Sequence, residues 1–375
     1  MTSVTLHLPG RLGDPAMTLA TDPRTDPRIA ELFRSAGADA SGMSLEPVAL
    51  DAPIEQCRAW CLRFEEASEK QSEALYGPMP VFDDIEHWTE SIIGSDGNEI
   101  PLYLHRPRQI KAPMPCIVHL HGGGMVLTSA TDGLYVRWRN ELARAGCLVI
   151  GVEFRNAAGR LGDHPFPAGL NDCASVLNWA HDQREALEMS VLAVAGESGG
   201  GNLALATALK ARQEGWVDKI DRVLALCPDI SCKSLEADPH LLSLKENEGY
   251  MVDNGYLGRL LARVYDPGGE NLINPLAWPY YADTTDLTGL PPHMISVNEL
   301  DPLRDEGLAY FRMLLAAEVS AVGRIVAATP HGADVGLPDV IPNVSGATID
   351  AIVAFVRGLN CEPSEHTSVL GQTKQ

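Results

Sequence analysis

Apolar positions follow two different periods along the chain, and the order in which those periods alternate predicts the fold. Between residues 27 and 76 the spacing is helical, in "IAELFRSA" and then "IEQCRAWCLRFEEASEKQSEAL", where Ile54, Cys57, Cys61 and Phe64 share a face. The pattern then turns strand-like in "HWTESIIGSDGNEIPLYLHRP". Its Asp96-Gly97 pair accepts the positive φ of a tight turn and so predicts a hairpin. Downstream, short unbroken apolar runs alternate with helical segments. The runs are "PCIVHL", "CLVIGVEF", "VLAVA", "RVLALCP", "HMISVN" and "GRIVAA". The helices are "GLYVRWRNELARAG", "PAGLNDCASVLNWAHDQ", the stretch after Ser198, "LRDEGLAYFRMLLAAE" and "ATIDAIVAFVRGLN". Runs apolar at every position are strands covered on both faces, so the pattern predicts an α/β fold with a mostly parallel central sheet flanked by helices.

One stretch breaks the alternation. Residues 229–283 carry the helical "GYLGRLLARVY" among many turn residues, and are expected to form an insertion above the sheet. The expected organisation is a lead-in with helices over 1–76, a first part of the core over 77–228, the insertion over 229–283, a second part of the core over 284–360 and a loose tail over 361–375. The Asp-Pro repeat "TDPRTDPR" makes the first 28 residues read as an extended, mobile lead-in.

Composition narrows the class. The chain is 45% hydrophobic and 21% charged, as in globular proteins. No apolar run is long enough to span a bilayer, and no basic segment precedes an apolar one at the start, so a cytoplasmic location is expected. A net charge of −21 disfavours nucleic acid and anionic membranes as partners and leaves a homo-oligomer open. The eight cysteines include none at zinc-ligand spacing backed by histidines; reduced buried thiols and no metal are expected.

Chemistry concentrates at strand–helix junctions. Gly196-Glu197-Ser198-Gly199-Gly200 lies between the strand "VLAVA" and the helix "GNLALATALKA". In that setting G-x-S-x-G is a nucleophile elbow: a strained turn lifts the serine hydroxyl above the sheet, and the glycines avoid collision with neighbouring backbone. Taken alone, the pentapeptide also fits a glycine-rich turn of another α/β fold. The loop "HLHGGGM" after "PCIVHL" exposes backbone amides of Gly123 and Gly124 at the same edge, which with that of Gly199 form a candidate oxyanion hole. No Gly-Lys-Ser/Thr and no helix-opening G-x-G-x-x-G accompanies them, so a phosphate loop is disfavoured.

A nucleophilic serine needs a base and an acid to orient it, which in this architecture follow as acid, then histidine. Asp301 follows the strand "HMISVN", and His331 follows "GRIVAA". Glu299 is the rival acid, while Asp305 and Glu306 fall in the next helix and read as N-terminal helix charges. His164, His181, His240 and His293 sit in less apt places, and His119 and His121 read as structural parts of the glycine loop.

With "HGGGM", "HPFPAGLNDC", "GESGGGNLA", "DPLRDEG" and a late "HG", the chain resembles the hormone-sensitive-lipase-like family of α/β-hydrolases from about Ile92 to Leu359. The resemblance implies a serine carboxylesterase acting on a small-molecule ester without a cofactor. It implies Ser198 as nucleophile, His331 as base, Asp301 as orienter, and Gly123, Gly124 and Gly199 as oxyanion donors. It also implies a cap built from residues 27–76 and 229–283. "FRNAAG" and "GESGG" depart from the commonest family pattern of "YRLAPE" and "GDSAG", which leaves the triad intact and the substrate open. Trp60, Met125, Phe166, Tyr250 and Tyr256 are candidate pocket walls. The same triad suits an amidase or formamidase. A non-catalytic ligand receptor on this fold lacks the histidine, which "TPHG" here retains.

Overall fold

A computed structural model of the chain describes residues 8–35, 45–76, 79–109, 113–233 and 238–358. The hairpin pairs β1 (Ile85–Ile93) with β2 (Glu99–Pro107), and its turn closes with Gly97 at φ +81° and Gly94 N–H donating to the Asn98 carbonyl at 2.8 Å. Then come β3 (Met114–Leu120), β4 (Leu148–Val152), β5 (Met189–Glu197), β6 (Arg222–Leu226), β7 (His293–Asn298) and β8 (Ala321–Val326). They form one sheet in the order β1-β2-β4-β3-β5-β6-β7-β8, parallel from β4 to β8.

Strand periodicity of two divides the core. Cys116, Val118 and Leu120 of β3 pack with Leu192 and Val194 of β5 against the helices Ala168–Asp182, Gly199–Glu214 and Arg304–Ala316. Ile117, Ala193 and Ala195 face the helices Gly133–Arg144 and Pro342–Val356. Both sheet faces are thus covered, as the unbroken apolar runs require. Every parallel strand presents its carboxyl end to the same edge, where the loops carrying Gly123, Ser198, Asp229, Asp301 and His331 converge.

Above that edge the helix Ile54–Tyr76 meets the insertion. The Trp60 and Tyr256 rings meet edge to face at 5.6 Å, and the Tyr256 hydroxyl donates to the Val48 carbonyl at 2.8 Å. Among the described residues no helix is long and apolar enough to cross a membrane. Seven cysteines are described and all are free thiols; Cys361 and the expected loose tail lie outside the described residues.

The lead-in differs from expectation. Residues 8–35 are fastened to the body, with Leu19 and Ile29 buried against Tyr250, Leu300, Ala333, Leu337 and Ile341. The Asp-Pro repeat is the reason. Asp22 Oδ1 accepts the Arg24 N–H, and Asp26 Oδ1 accepts the Arg28 N–H, each at 2.9 Å, closing two side-chain turns that composition alone reads as extended chain.

Candidate active site

Ser198 stands between the last residue of β5 and the first of the helix Gly199–Glu214, at φ +56°, ψ −120°, a conformation that side chains rarely adopt. The surrounding glycines are sterically required. A Cβ on Gly200 would fall 1.9 Å from the Leu120 carbonyl oxygen, and one on Gly196 2.3 Å from that of Gly200. The Ser198 side chain is half-buried and makes no hydrogen bond among the described residues.

Facing it is a cradle of amides. A Cβ on Gly199 would lie 2.6 Å from both Gly124 N and Met125 N, which shows how closely the glycine loop approaches the elbow. Gly123 and Gly124 hold φ of +98° and +62°, a backbone that favours glycine. The N–H groups of Gly123, Gly124 and Gly199 donate to no backbone acceptor among the described residues. Replacing Gly199 with alanine is expected to push the glycine loop and the elbow apart, lowering both the thermal midpoint and kcat, because the methyl would meet backbone at 2.6 Å. Ester turnover and circular dichroism of that variant check this.

Behind the loop, burial pushes His121 down to about 3, so it is neutral and its Nδ1–H donates to the Gly122 carbonyl at 2.9 Å. Its ring stacks on Phe154 at 4.1 Å. His119 Nε2 contacts Glu197 Oε2 at 3.0 Å. His119, at the end of β3, and His121, at the start of the loop, both make structural contacts here. Glu65 on the helix Ile54–Tyr76 accepts the Thr128 N–H at 2.6 Å and the Arg160 N–H at 2.7 Å, clamping the loop from above. Its sequence context is that of any helix-surface glutamate.

Asp301 and His331 meet directly. Asp301 Oδ2 accepts from His331 Nδ1 at 2.8 Å, and Oδ1 accepts the Leu303 N–H at 2.9 Å. Asp301 is fully buried, while the His331 side chain keeps 14% of its surface exposed. Burial works against the imidazolium, but the charge and hydrogen bond of Asp301, with the charges of Asp229 and Asp334 beyond it, raise His331 above its ordinary value. Asn298 joins the two loops: its Nδ2 donates to Asp334 Oδ1 at 2.9 Å, and its Oδ1 accepts the Gly332 N–H at 3.2 Å. Glu299 points elsewhere, with Oε2 accepting the Ala328 N–H at 2.7 Å.

Several expectations change. Glu306 is not a solvated helix charge. It is 1% exposed and accepts the Ile230 N–H at 2.6 Å and the Ser231 hydroxyl. Burial, and then the charge of Asp229, push it well above the usual carboxylate range. Asp305 stands in the first turn of the helix Arg304–Ala316, as expected, and also accepts the Ser243 N–H of the insertion at 2.8 Å. Tyr250 is not a pocket wall: it is 1% exposed, and its hydroxyl donates to Asp22 at 3.0 Å, because the ordered lead-in covers it. Trp60, stacked on Phe64, and Met125 are also buried, and the Met125 amide rather than its side chain abuts Gly199. Phe166 and Tyr256 stay half-buried.

Asp229 had no signal in the sequence. Its N–H donates to the Ser198 carbonyl at 3.2 Å, and burial raises its carboxyl to about 6 against the pull of His331. Cys227, Asp301 and His331 place ligand atoms within 4.8 Å of one another. Both carboxylate oxygens of Asp301 are committed to hydrogen bonds, and burial drives the Cys227 thiol well above its ordinary value. That donor set suits an oriented imidazole better than a cation.

This fold is shared by known proteins. Residues 117–334 match the alpha/beta hydrolase fold family, more than half of the chain, and the protein belongs to that family. It is 32% identical to the carboxylesterase NlhH of Mycobacterium tuberculosis over 72% of this chain and 82% of that protein. It is 28% identical to an arylesterase of Saccharolobus solfataricus over 72% of this chain and 84% of that one. Among solved structures, brefeldin A esterase, a bacterial homologue of human hormone-sensitive lipase, superimposes with a TM-score of 0.89 at 40% identity, covering 94% of this chain and 98% of that one. The esterase Est22 superimposes at 0.80 with 36% identity, covering 91% and 100%.

Proposed function

We propose that the protein hydrolyses small-molecule carboxylic esters through an acyl-enzyme on Ser198, with His331 as base, Asp301 as its orienter and the amides of Gly123, Gly124 and Gly199 as the oxyanion hole. The protein is a carboxylic ester hydrolase of the hormone-sensitive-lipase-like kind. The observation that carries the residue assignment is the 2.8 Å Asp301–His331 pair at the same sheet edge as the strained serine and the glycine loop that approaches it.

In this reading His331 Nε2 takes the hydroxyl proton as Ser198 Oγ attacks the ester carbonyl, and the amides hold the oxyanion. The Nδ1–H bond to Asp301 selects the tautomer that leaves Nε2 free to accept. Collapse breaks the bond to the alkoxide, which leaves with the proton from His331. Water then repeats the sequence on the acyl-enzyme and releases the acid. The helix Ile54–Tyr76 and the insertion it meets act as the cap that shields this space, whereas the helix Pro27–Ser35, expected in the cap as well, packs through Ile29 against Leu300 and Ile341.

A fluorophosphonate ester tests the assignment. The label is expected on the peptide containing Ser198, with loss of p-nitrophenyl ester turnover; a label elsewhere at full inactivation overturns it. The neutral form of His331 is the active one, so kcat/KM is expected to be full above its raised pKa. It is lost as pH falls through that value, with the limb above the ~6.5 of free imidazole. A profile flat from pH 5 to 8 in a folded protein counts against His331.

A further inference from the structure

The ordered N-terminal segment touches both loops of the Asp301–His331 pair. The Asp26 N–H donates to the Ala328 carbonyl at 2.9 Å on the histidine side, and Leu19 and Ile29 pack against Leu300 and Ala333. On the acid side the link is polar. The Arg24 guanidinium pairs with Asp22 at 2.7 Å and with Glu246, and its Nη2 donates to Asn247 Oδ1 at 3.1 Å. Asn247 is fully buried, and its Nδ2 donates to the carbonyls of Glu299 at 3.2 Å and Asp301 at 3.1 Å. Chemistry fixes this orientation of the amide: a guanidinium only donates and a carbonyl only accepts, so the oxygen must face Arg24. Glu246 also binds Arg304 at 2.9 Å, whose Nη1 donates to the Glu299 carbonyl at 2.9 Å. The turn that presents Asp301 is therefore held by its own carbonyls, through two residues of the insertion and one of the lead-in.

We propose that Arg24 and Asn247 are positioning residues for Asp301: the N-terminal strap sets the carboxylate against His331 by orienting the Asn247 amide that holds the Asp301 carbonyl. The proposal rests on Asp301 being the orienter of His331. Its consequence is a coupling between a segment remote in sequence and the basicity of the imidazole. Without Arg24 the Asn247 amide oxygen loses its cationic partner, the amide is free to turn, and the acid loop relaxes away from the histidine.

The sign of the pH effect separates this from simple electrostatics. The charged and titratable groups facing His331 are Asp301, Asp229 and Asp334, with the Cys227 thiol within 4.8 Å. Removing a positive charge at Arg24 through space would raise the pKa of His331. Loosening the Asp301 contact lowers it, because the imidazolium loses its nearest partner.

The test compares Arg24→Gln and Asn247→Leu with Arg28→Ala, a neighbour on the strap that pairs with Asp26 at 2.7 Å and Asn343 at 2.6 Å. In the full chain, kcat for a p-nitrophenyl ester is expected to fall about tenfold in both positioning variants with KM unchanged. The acid limb of kcat/KM moves down by about half a pH unit. Arg28→Ala keeps the wild-type kcat and limb. Wild-type kcat and limb in Arg24→Gln, with only a lower thermal midpoint, overturn the proposal, as does an upward shift of the limb. Arg24→Gln decides the matter if Asn247→Leu fails to fold. Asp301→Asn, measured alongside, tells the two failures apart. If it keeps wild-type turnover, the orienter assignment is wrong; if it is inactive while the strap variants are normal, only the strap proposal falls.

Discussion

Ser198→Ala is expected to lower kcat for ester hydrolysis by roughly 10⁴–10⁶-fold while leaving the thermal midpoint within a degree or two of wild type. The activity loss follows from the loss of the attacking oxygen, which the neighbouring Cys227 does not replace: it is buried, and burial drives its thiol well above the ordinary value. The stability is unchanged because the strained φ of +56° belongs to the backbone and is held by the Gly196 and Gly200 approaches, which alanine keeps. The hydroxyl it removes has no hydrogen-bond partner among the described residues, so no buried group is left unsatisfied. Turnover and a melting curve on one preparation check both halves. Near-wild-type kcat would falsify the acyl-enzyme mechanism.

The second large effect is at the acid. Asp301→Asn keeps the shape of the side chain and the Leu303 contact, but an amide nitrogen facing Nδ1 favours the tautomer in which Nε2 carries the proton and cannot accept one. By comparison with other triads this costs about 10⁴ in kcat. Glu299→Gln is expected to cost less than about tenfold, since a Gln oxygen can still accept the Ala328 N–H. The chain turns directly after β7, with Asp301 N–H reaching back to the Asn298 carbonyl at 3.3 Å, and that turn sends the two carboxylates to different partners. Asp305→Asn should lose about 1 kcal/mol or less of stability with kcat intact, because its contacts run to Ser243 and Arg304 at a partly exposed edge. An inactive Glu299→Gln beside an active Asp301→Asn would reverse the assignment.

Much of this site is local, and local chemistry is visible in a sequence. The unbroken apolar runs announced a sheet covered on both faces, and the six quoted runs coincide with β3 to β8 to within a few residues. The elbow needs glycine at Gly196 and Gly200 because backbone passes within contact distance of each Cβ position, so the pentapeptide carries its own geometry. Asp301 and His331 could be proposed from the sequence because each stands just beyond a strand, and parallel strands deliver their ends to one edge.

What only the tertiary structure decided are the partners of groups whose sequence neighbours say nothing about them. "TDPRTDPR" has the composition of a mobile segment, yet Leu19 and Ile29 find a surface made of residues from Tyr250 to Ile341, far along the chain. Glu306 has the address of a helix N-terminal charge, and becomes a buried carboxyl because the insertion returns Ile230 and Ser231 to it. Tyr250 leaves the pocket because the lead-in covers it. A carboxylate, a guanidinium or a ring has the same local preference wherever it occurs along the chain. Its burial, its charge state and its role are set by which distant backbone arrives beside it, and that is determined only when the chain closes on itself.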